Sequence, residues 1–407
     1  MASGDGKPKR LASRMLLTAW LAQNAASGFA FGSFGPMIAV YEDELGVDRS
    51  LSSAGLPLML LTMALLAPLV GRATLRFTLR QMMSVGALLM TCGFVTLAFA
   101  DSIEMVLAAY ALLVGPGYSL LGAMLPSTLA SRWFGDRVGR ALGIVNMPLF
   151  LGLVPLGVAA VFSEVGRQGV FVGIAIAIFC LLPFTMSIID HPVEQVSDVD
   201  AKPDQPPTTA LTIGEILRRR DFWWLCFSAS ILAGAGVSIA THIVPMAIGW
   251  GEPATSAALL LSINGFAGII GSALFGRLAD RIGGIGAMGA ACVGAALFWL
   301  TLLGSPPFTL LLPISFCLGA IGAALVATVA AAINQRFGTI NFSQVFGLFS
   351  LVNLPLVVGA PIFAGIVFTA FGSYALAIIV EVMLLVSGAL VAYRLSRKWA
   401  SSAVLQS

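Results

Sequence analysis

Apolar residues gather in twelve long stretches separated by short polar breaks. The stretches run over residues 15–40, 52–71, 81–100, 104–130, 138–162, 170–189, 222–249, 255–276, 285–303, 309–333, 344–370 and 373–393. An α-helix needs about 20 mostly apolar residues to cross the hydrocarbon core of a bilayer. None of the stretches alternates apolar and polar positions as the wall of a membrane barrel does. The pattern therefore predicts an all-α membrane protein with twelve spans. The first stretch follows the basic segment MASGDGKPKRLASR, as a signal peptide would. It is too long for a signal core and more spans follow, so it reads as span one.

The polar breaks carry an orientation. With twelve spans and both termini on one side, 20 of the 22 Lys and Arg residues fall on that side, leaving Arg49 and Arg167 on the other. Basic residues collect on the cytoplasmic face of membrane proteins. The termini are thus expected in the cytoplasm, in a plasma membrane and most simply a bacterial inner one. Acids gather instead in YEDELGVDRS, after span one. The longest polar break, 190–221, contains HPVEQVSDVDAKPDQPPTT and then RRR. Its composition is that of a flexible linker. It separates an N-terminal six-helix bundle (1–189) from a C-terminal one (222–407).

The two halves repeat. VNMPLFLGLVP begins at Val145 and VNLPLVVGAP at Val352. GRATLRFTLR and GRLADRIGG begin at Gly71 and Gly276, while RWFG and QRFG begin at Arg132 and Gln335. Each pair falls at equivalent spans with offsets of 203 to 207 residues. Equal span numbers give both halves the same orientation, a parallel repeat about an axis along the membrane normal. Proline inside an apolar helix removes a donor and frees a carbonyl that lipid cannot satisfy. The doubled phrase therefore belongs beside protein or a cavity. Gly152 and Gly359 are expected to allow close helix approach, and Asn146 and Asn353 to bond a neighbouring helix or a ligand.

Composition agrees with a lipid setting. The chain is 58% apolar and 10% charged, with a mean hydropathy of +0.96, whereas soluble domains carry about 25% charged residues. The 44 glycines suit helix packing in a membrane. All five cysteines sit in apolar runs without metal-ligand spacing and read as packing residues.

These features resemble the major facilitator superfamily over essentially the whole chain. The resemblance implies two six-helix bundles related by a pseudo-two-fold axis along the membrane normal. The family's loop signature, G-x-x-x-D-R-x-G, is matched by Gly276, Asp280, Arg281 and Gly283 after span eight. After span two the first copy keeps Gly71 and Arg76 but has Leu75 in the acidic position. Within the superfamily the chain is similar to monocarboxylate and oxalate/formate-type transporters, through YEDELGVDRSLSS, RWFGDRVGRALGI and HIVPMAIGWG. The resemblance implies a cytoplasmic gate in which Asp280, beside Arg281, meets Arg137 or Arg140 at the start of span five. Many carriers of that group also hold a charged pair deep in span eight. Here span eight, AALLLSINGFAGIIGSALFG, has no charge, which argues against a small dianion as substrate.

Candidate chemistry is sparse. His242, in span seven, is a side-chain type that titrates near neutrality. Glu381 lies in the middle of span twelve, and an acid within a membrane marks function by default. Both are candidates for proton coupling. Gln23, Asn24, Ser27 and Phe31 share one face of span one. With Tyr118, Asn146, His242, Asn264 and Asn353 they form the candidate substrate-binding set. No Walker loop, zinc spacing or nucleophile–base pair is visible, so neither an enzyme nor a cofactor or metal is expected, nor a nucleic-acid partner.

The reading is a secondary transporter of a small organic monocarboxylic acid. It would work by alternating access as a monomer in the lipid bilayer, with proton coupling. An exporter of neutral or lipophilic compounds is the alternative, and a non-transporting membrane sensor or scaffold a second. The sensor would need a sizeable output domain, and the linker is only about thirty residues.

Overall fold

A computed structural model describes residues 6–47, 49–52, 54–135, 138–191 and 211–404. Every regular element among them is helical. Ten helical stretches, from Gly55–Ala73 to Ala375–Trp399, are long and apolar enough to cross a membrane. Two more crossings complete twelve. Phe308–Phe371 is 64 residues long and broken at Gly338 (φ 77, ψ 166), so it holds spans ten and eleven. The helices Gly6–Gly32 and Phe34–Leu45, interrupted at Ser33, form span one. Leu112, Leu69 and Ile366 are 69%, 64% and 62% exposed. Large apolar surfaces of this kind mark contact with a membrane or partner. With the span pattern they identify an integral membrane protein.

Glycine makes two of the turns abrupt. Spans five and six share the helix Leu149–Phe179, broken at Gly166 (φ 62, ψ −174), and spans ten and eleven meet at Gly338. Only glycine takes that positive-φ, extended conformation without strain. The polar breaks read between these spans in the sequence are therefore almost wholly helical. The linker ends in a helix too, Ile213–Arg218, because Thr212 and Glu215 form a capping box. Residues 192–210 lie outside the described residues.

The chain forms two compact units. One comprises Met1–Gly135, Pro148–Ala210 and Thr339–Leu348, the other Asp136–Met147, Leu211–Gly338 and Phe349–Ser407. Each unit thus contains a short segment from the opposite half of the sequence: the start of span eleven in the first, the start of span five in the second.

In the first unit, a Cβ on Gly71 or Gly347 would strike the backbone of Ser343 or of Ala67. Span two and the start of span eleven are in backbone contact there. The Thr128 and Ser343 hydroxyls bond at 2.8 Å beside this seam. Span three starts with a capping box between Thr78 and Gln81. Its Leu79 N–H donates to Asp190 at 2.8 Å, and Arg132 holds that carboxylate at 3.2 Å.

The second unit repeats the scheme with other residues. Gly143 and Gly276 press the start of span five against span eight, beside Ser272. The first N–H of span nine, Gly284, donates to the side-chain Oε1 of Gln335 at 2.8 Å. Asp221 receives Arg336 at 2.8 Å and Lys398 at 2.9 Å, tying the beginning of span seven to the ends of spans ten and twelve.

The doubled phrase folds in two ways. In the first copy the helix stops at Val145 and restarts at Leu149. In the second the helix runs unbroken through Pro355 and Pro361. Gly359 faces open space, against the expectation of a close approach. The tight glycine contacts lie elsewhere, Gly28 on Phe150 and Gly319 on Asn264 among them.

Candidate functional site

Span one supplies the polar face of the first unit. Ser27 Oγ and Tyr118 Oη are 3.2 Å apart, and the Phe31 ring meets Tyr118 edge-on at 5.4 Å. Ser27 and Phe31 stand one turn apart, so both reach the same tyrosine. Span four is irregular on either side of Tyr118. A π-helical turn covers Tyr110–Val114, and the helix breaks after Leu121. Gly122 is required at that break, because a Cβ there would strike the Tyr118 ring and carbonyl. Single π turns recur at functional positions in helices.

Asn24 is spent on structure. Its Oδ1 accepts the Phe150 N–H at 3.1 Å and its Nδ2 donates to the Trp20 carbonyl at 3.1 Å. The first N–H groups of any helix lack partners within it. Asn24 caps the helix that restarts at Leu149. Gln23, beside it, is 8% exposed, and its Oε1 has no partner among the described residues. Of the candidates on span one, Gln23 keeps the most unused bonding capacity.

Asn146 belongs to the second unit. Its Nδ2 donates to the Leu142 carbonyl at 2.9 Å, and its own carbonyl accepts Ser272 Oγ at 3.4 Å. Asn264 Nδ2 donates to the Ser315 carbonyl at 3.1 Å, linking spans eight and ten. Both asparagines thus act between or along helices. Asn353 is half-buried, and its Oδ1 has no partner among the described residues.

His242 is bonded on both ring nitrogens. Nε2 lies 2.9 Å from the Pro361 carbonyl and Nδ1 3.2 Å from Tyr374 Oη. A carbonyl cannot donate, so Nε2 carries a proton. Nδ1 of the neutral ring then accepts from the tyrosine hydroxyl. A protonated ring donates there instead, and the hydroxyl turns its own proton away. The ring can gain a proton without losing either bond. Gly365 lies beside the ring, where a Cβ would make only an ordinary van der Waals contact with it at 3.8 Å. Tyr374, stacked on Phe368 at 4.5 Å, follows the left-handed turn at Gly372.

One turn along span seven, Ser238 Oγ donates to Glu381 at 3.2 Å. Glu381 is 4% exposed. Sequence reading missed Tyr374, Pro361 and Ser238 as partners. Ser238 was accessible to it, standing four residues before His242 on the same helical face.

Asp280 sits on the start of span five. Its two oxygens accept the N–H groups of Gly139 at 2.6 Å and Arg140 at 2.9 Å. Arg140 Nε approaches at 3.8 Å with its side chain half exposed. A carboxylate on the first N–H groups of a helix is favoured by bonding and by the helix dipole. The backbone thus makes the short bonds, and the guanidinium adds a looser one. Arg281 is exposed and stands outside these bonds. Arg137 lies outside the described residues.

The family model described as Major Facilitator Superfamily matches residues 21–354. An uncharacterized MFS-type transporter, YcxA, of Bacillus subtilis (strain 168) is 28% identical over 186 residues, covering 44% of this chain and 42% of that protein. Monocarboxylate transporter 4 of Mus musculus is 28% identical over 251 residues, covering 59% and 52%. The chain thus spans about half the length of the curated relatives it matches. Among solved structures, FucP in the outward conformation aligns with a TM-score of 0.74 at 12% identity, over 94% of this chain and 97% of that one. A bacterial homologue of the iron transporter ferroportin, outward-facing with soaked iron, aligns with a TM-score of 0.69 at 15% identity, over 96% and 100%.

Proposed function

The chain belongs to the Major Facilitator Superfamily, and from that premise we propose that it is a secondary transporter of a small organic monocarboxylic acid, moved together with a proton by alternating access. The observation that carries the reading is the seating of His242. Residues 222–276 contain no Lys or Arg. Protonated His242 would be the cation of this region, and the Tyr374 hydroxyl accommodates either state of the ring. An anion and a proton would then bind with mutual support. In the same unit Asn353 supplies a neutral acceptor for the rest of the acid, while Gln23, the Ser27–Tyr118 pair and Phe31 form a polar and aromatic face within the first unit.

The relative named as a monocarboxylate transporter supports the substrate class. The ferroportin homologue shares a fold at low identity. No group of three or more His, Cys, Asp or Glu stands close enough to hold a metal among the described residues. We place the protein in the plasma membrane as a monomer, with both termini and the 190–221 segment cytoplasmic, on the bias of basic residues.

The test is uptake into proteoliposomes of a panel of monocarboxylates, dicarboxylates and neutral analogues, with and without a pH gradient. Monocarboxylate uptake should rise as external pH falls, at fixed concentration of the ionised substrate. His242→Gln should transport with most of that pH response gone. Uptake of neutral amphipathic compounds alone would favour the exporter.

A further inference from the structure

The second unit contains a cavity of about 550 Å³ at the beginning of span seven, walled by Arg220, Trp223, Trp224, Phe227, Ser230 and Leu356 among others. Its volume falls within the range of small-molecule sites, and its make-up follows theirs, apolar walls with a few placed polar groups. One end, at Arg220, is 22 positions from His242 on the same helix, about 33 Å at 1.5 Å per residue, while the other reaches Leu356, one turn from Asn353.

The polar groups stand at opposite ends. Arg220 is exposed at the start of the helix, as are Trp223, Trp224 and Phe227 on the wall. Its neighbour Arg219 is turned toward the Phe337 ring, 5.9 Å away. Ser230 lies ten residues further on, about 15 Å along the axis. It is 3% exposed, and its hydroxyl has no partner among the described residues. Ser131 is in the same state among the described residues, whereas other serines bond back along the chain. Ser33 donates to the Phe29 carbonyl at 2.6 Å and Ser119 to the Gly115 carbonyl at 3.0 Å, each four residues back. Ser230 lacks that bond, and it lines the cavity. A buried hydroxyl without a partner is destabilising, and a ligand atom would relieve it. Between the two ends lie indole and phenyl surfaces that hold no charge.

We propose that this cavity binds an elongated amphipathic carboxylate, its carboxyl on Arg220, its apolar body along Trp223, Phe227 and Leu356, and a second polar group on Ser230. The inference rests on the organic-acid reading and narrows it: the favoured acids are long and carry a hydroxyl or carbonyl at the far end. Guanidinium groups bind carboxylates through paired, charge-assisted bonds. The buried Ser230 hydroxyl discriminates between a polar terminus and a methyl.

The test is equilibrium binding to the full chain in nanodiscs of zwitterionic lipid, with tritiated 12-hydroxydodecanoate, dodecanoate and dodecanol as probes. The expected order is hydroxy acid tightest, then acid, then alcohol. Arg220→Gln should weaken both acids by roughly tenfold and leave dodecanol unchanged, which also reports that the variant is folded. Ser230→Ala should remove the preference for the hydroxy acid and leave dodecanoate binding intact. Equal binding of acid and alcohol, or a preference untouched by Arg220→Gln, would overturn the proposal. So would strong displacement of dodecanoate by phosphatidylglycerol, which would make the cavity a lipid site. Failure of the transport reading shows separately, as absent acid uptake in proteoliposomes with the binding order intact.

Discussion

His242 and Glu381 were visible in the sequence because charge is scarce in the spans and each stands out against apolar neighbours. Their partners were not, since a hydrogen bond between helices leaves no mark on spacing. Tyr374 lies 132 residues from His242 along the chain. The asparagines show the same limit. Asn24 and Gln23 are adjacent and chemically alike, yet Asn24 caps a helix and Gln23 keeps a bare oxygen. Only the position of Phe150 decides between them. These bonds separate two routes for the proton. Tyr374→Phe keeps the Nε2 bond to Pro361 and removes the hydroxyl that adapts to the ring's protonation. The change should cost about 1 kcal/mol, read as a pH profile of uptake moved relative to wild type. Glu381→Gln keeps an acceptor for Ser238 and cannot ionise. If His242 carries the proton, Glu381→Gln should keep the wild-type pH response. Loss of that response in Glu381→Gln alone would move the coupling to span twelve.

Among the elements, the helices and their number followed from the length of the apolar stretches, while their joints did not. Gly166 and Gly338 replace polar breaks with single-residue turns, a property of backbone angles that composition does not register. Arg167, one of two basic residues left on the far side by the orientation argument, stands next to the first of these turns. Its guanidinium donates to the Leu97 carbonyl at 2.7 Å, to Ala100 at 2.8 Å and to Glu44 at 2.6 Å. The Leu97 and Ala100 carbonyls lie at the C-terminal end of span three, where orphan carbonyls gather. Arg167 therefore fastens the turn between spans five and six to span three and to the end of span one. Its side chain is 12% exposed and that of Glu44 42%, so the two carbonyl bonds are better shielded from water than the ion pair. Arg167→Ala should lower the stability of the purified protein by on the order of 2–3 kcal/mol, measured as a drop in melting temperature. Arg167→Lys can replace one of the three bonds and should recover only part of the loss. A melting temperature unchanged in Arg167→Ala would show that the clamp contributes nothing.

For the whole molecule, the repeat was the most legible feature and its asymmetry the most informative. Both copies use glycine to bring helices into backbone contact, Gly71 and Gly347 in one unit and Gly143 and Gly276 in the other. Only the second carries a carboxylate at the signature position. Asp280 spans the first free N–H groups of the helix beginning at Val138, whereas Leu75 is exposed and has nothing to offer a backbone amide. The segment Asp280 holds comes from the first half of the sequence, and under the alternating-access proposal this contact is one that would break. Charge-assisted bonds to a helix start, together with its dipole, make the contact worth about 1–2 kcal/mol. Removing that much changes a two-state population by roughly five- to thirtyfold. Asp280→Asn retains one acceptor and loses the charge. It should slow substrate exchange and open this seam to water, read as faster labelling of a cysteine replacing the buried Ser272 in a Cys-free background. Leu75→Asn should leave both readouts near wild type, and Leu75→Asp should slow opening by supplying the missing acceptor to the start of span eleven. Equal, small effects of Asp280→Asn and Leu75→Asn would mean that Asp280 fixes only the local loop, and the gate would have to be sought in the glycine seams.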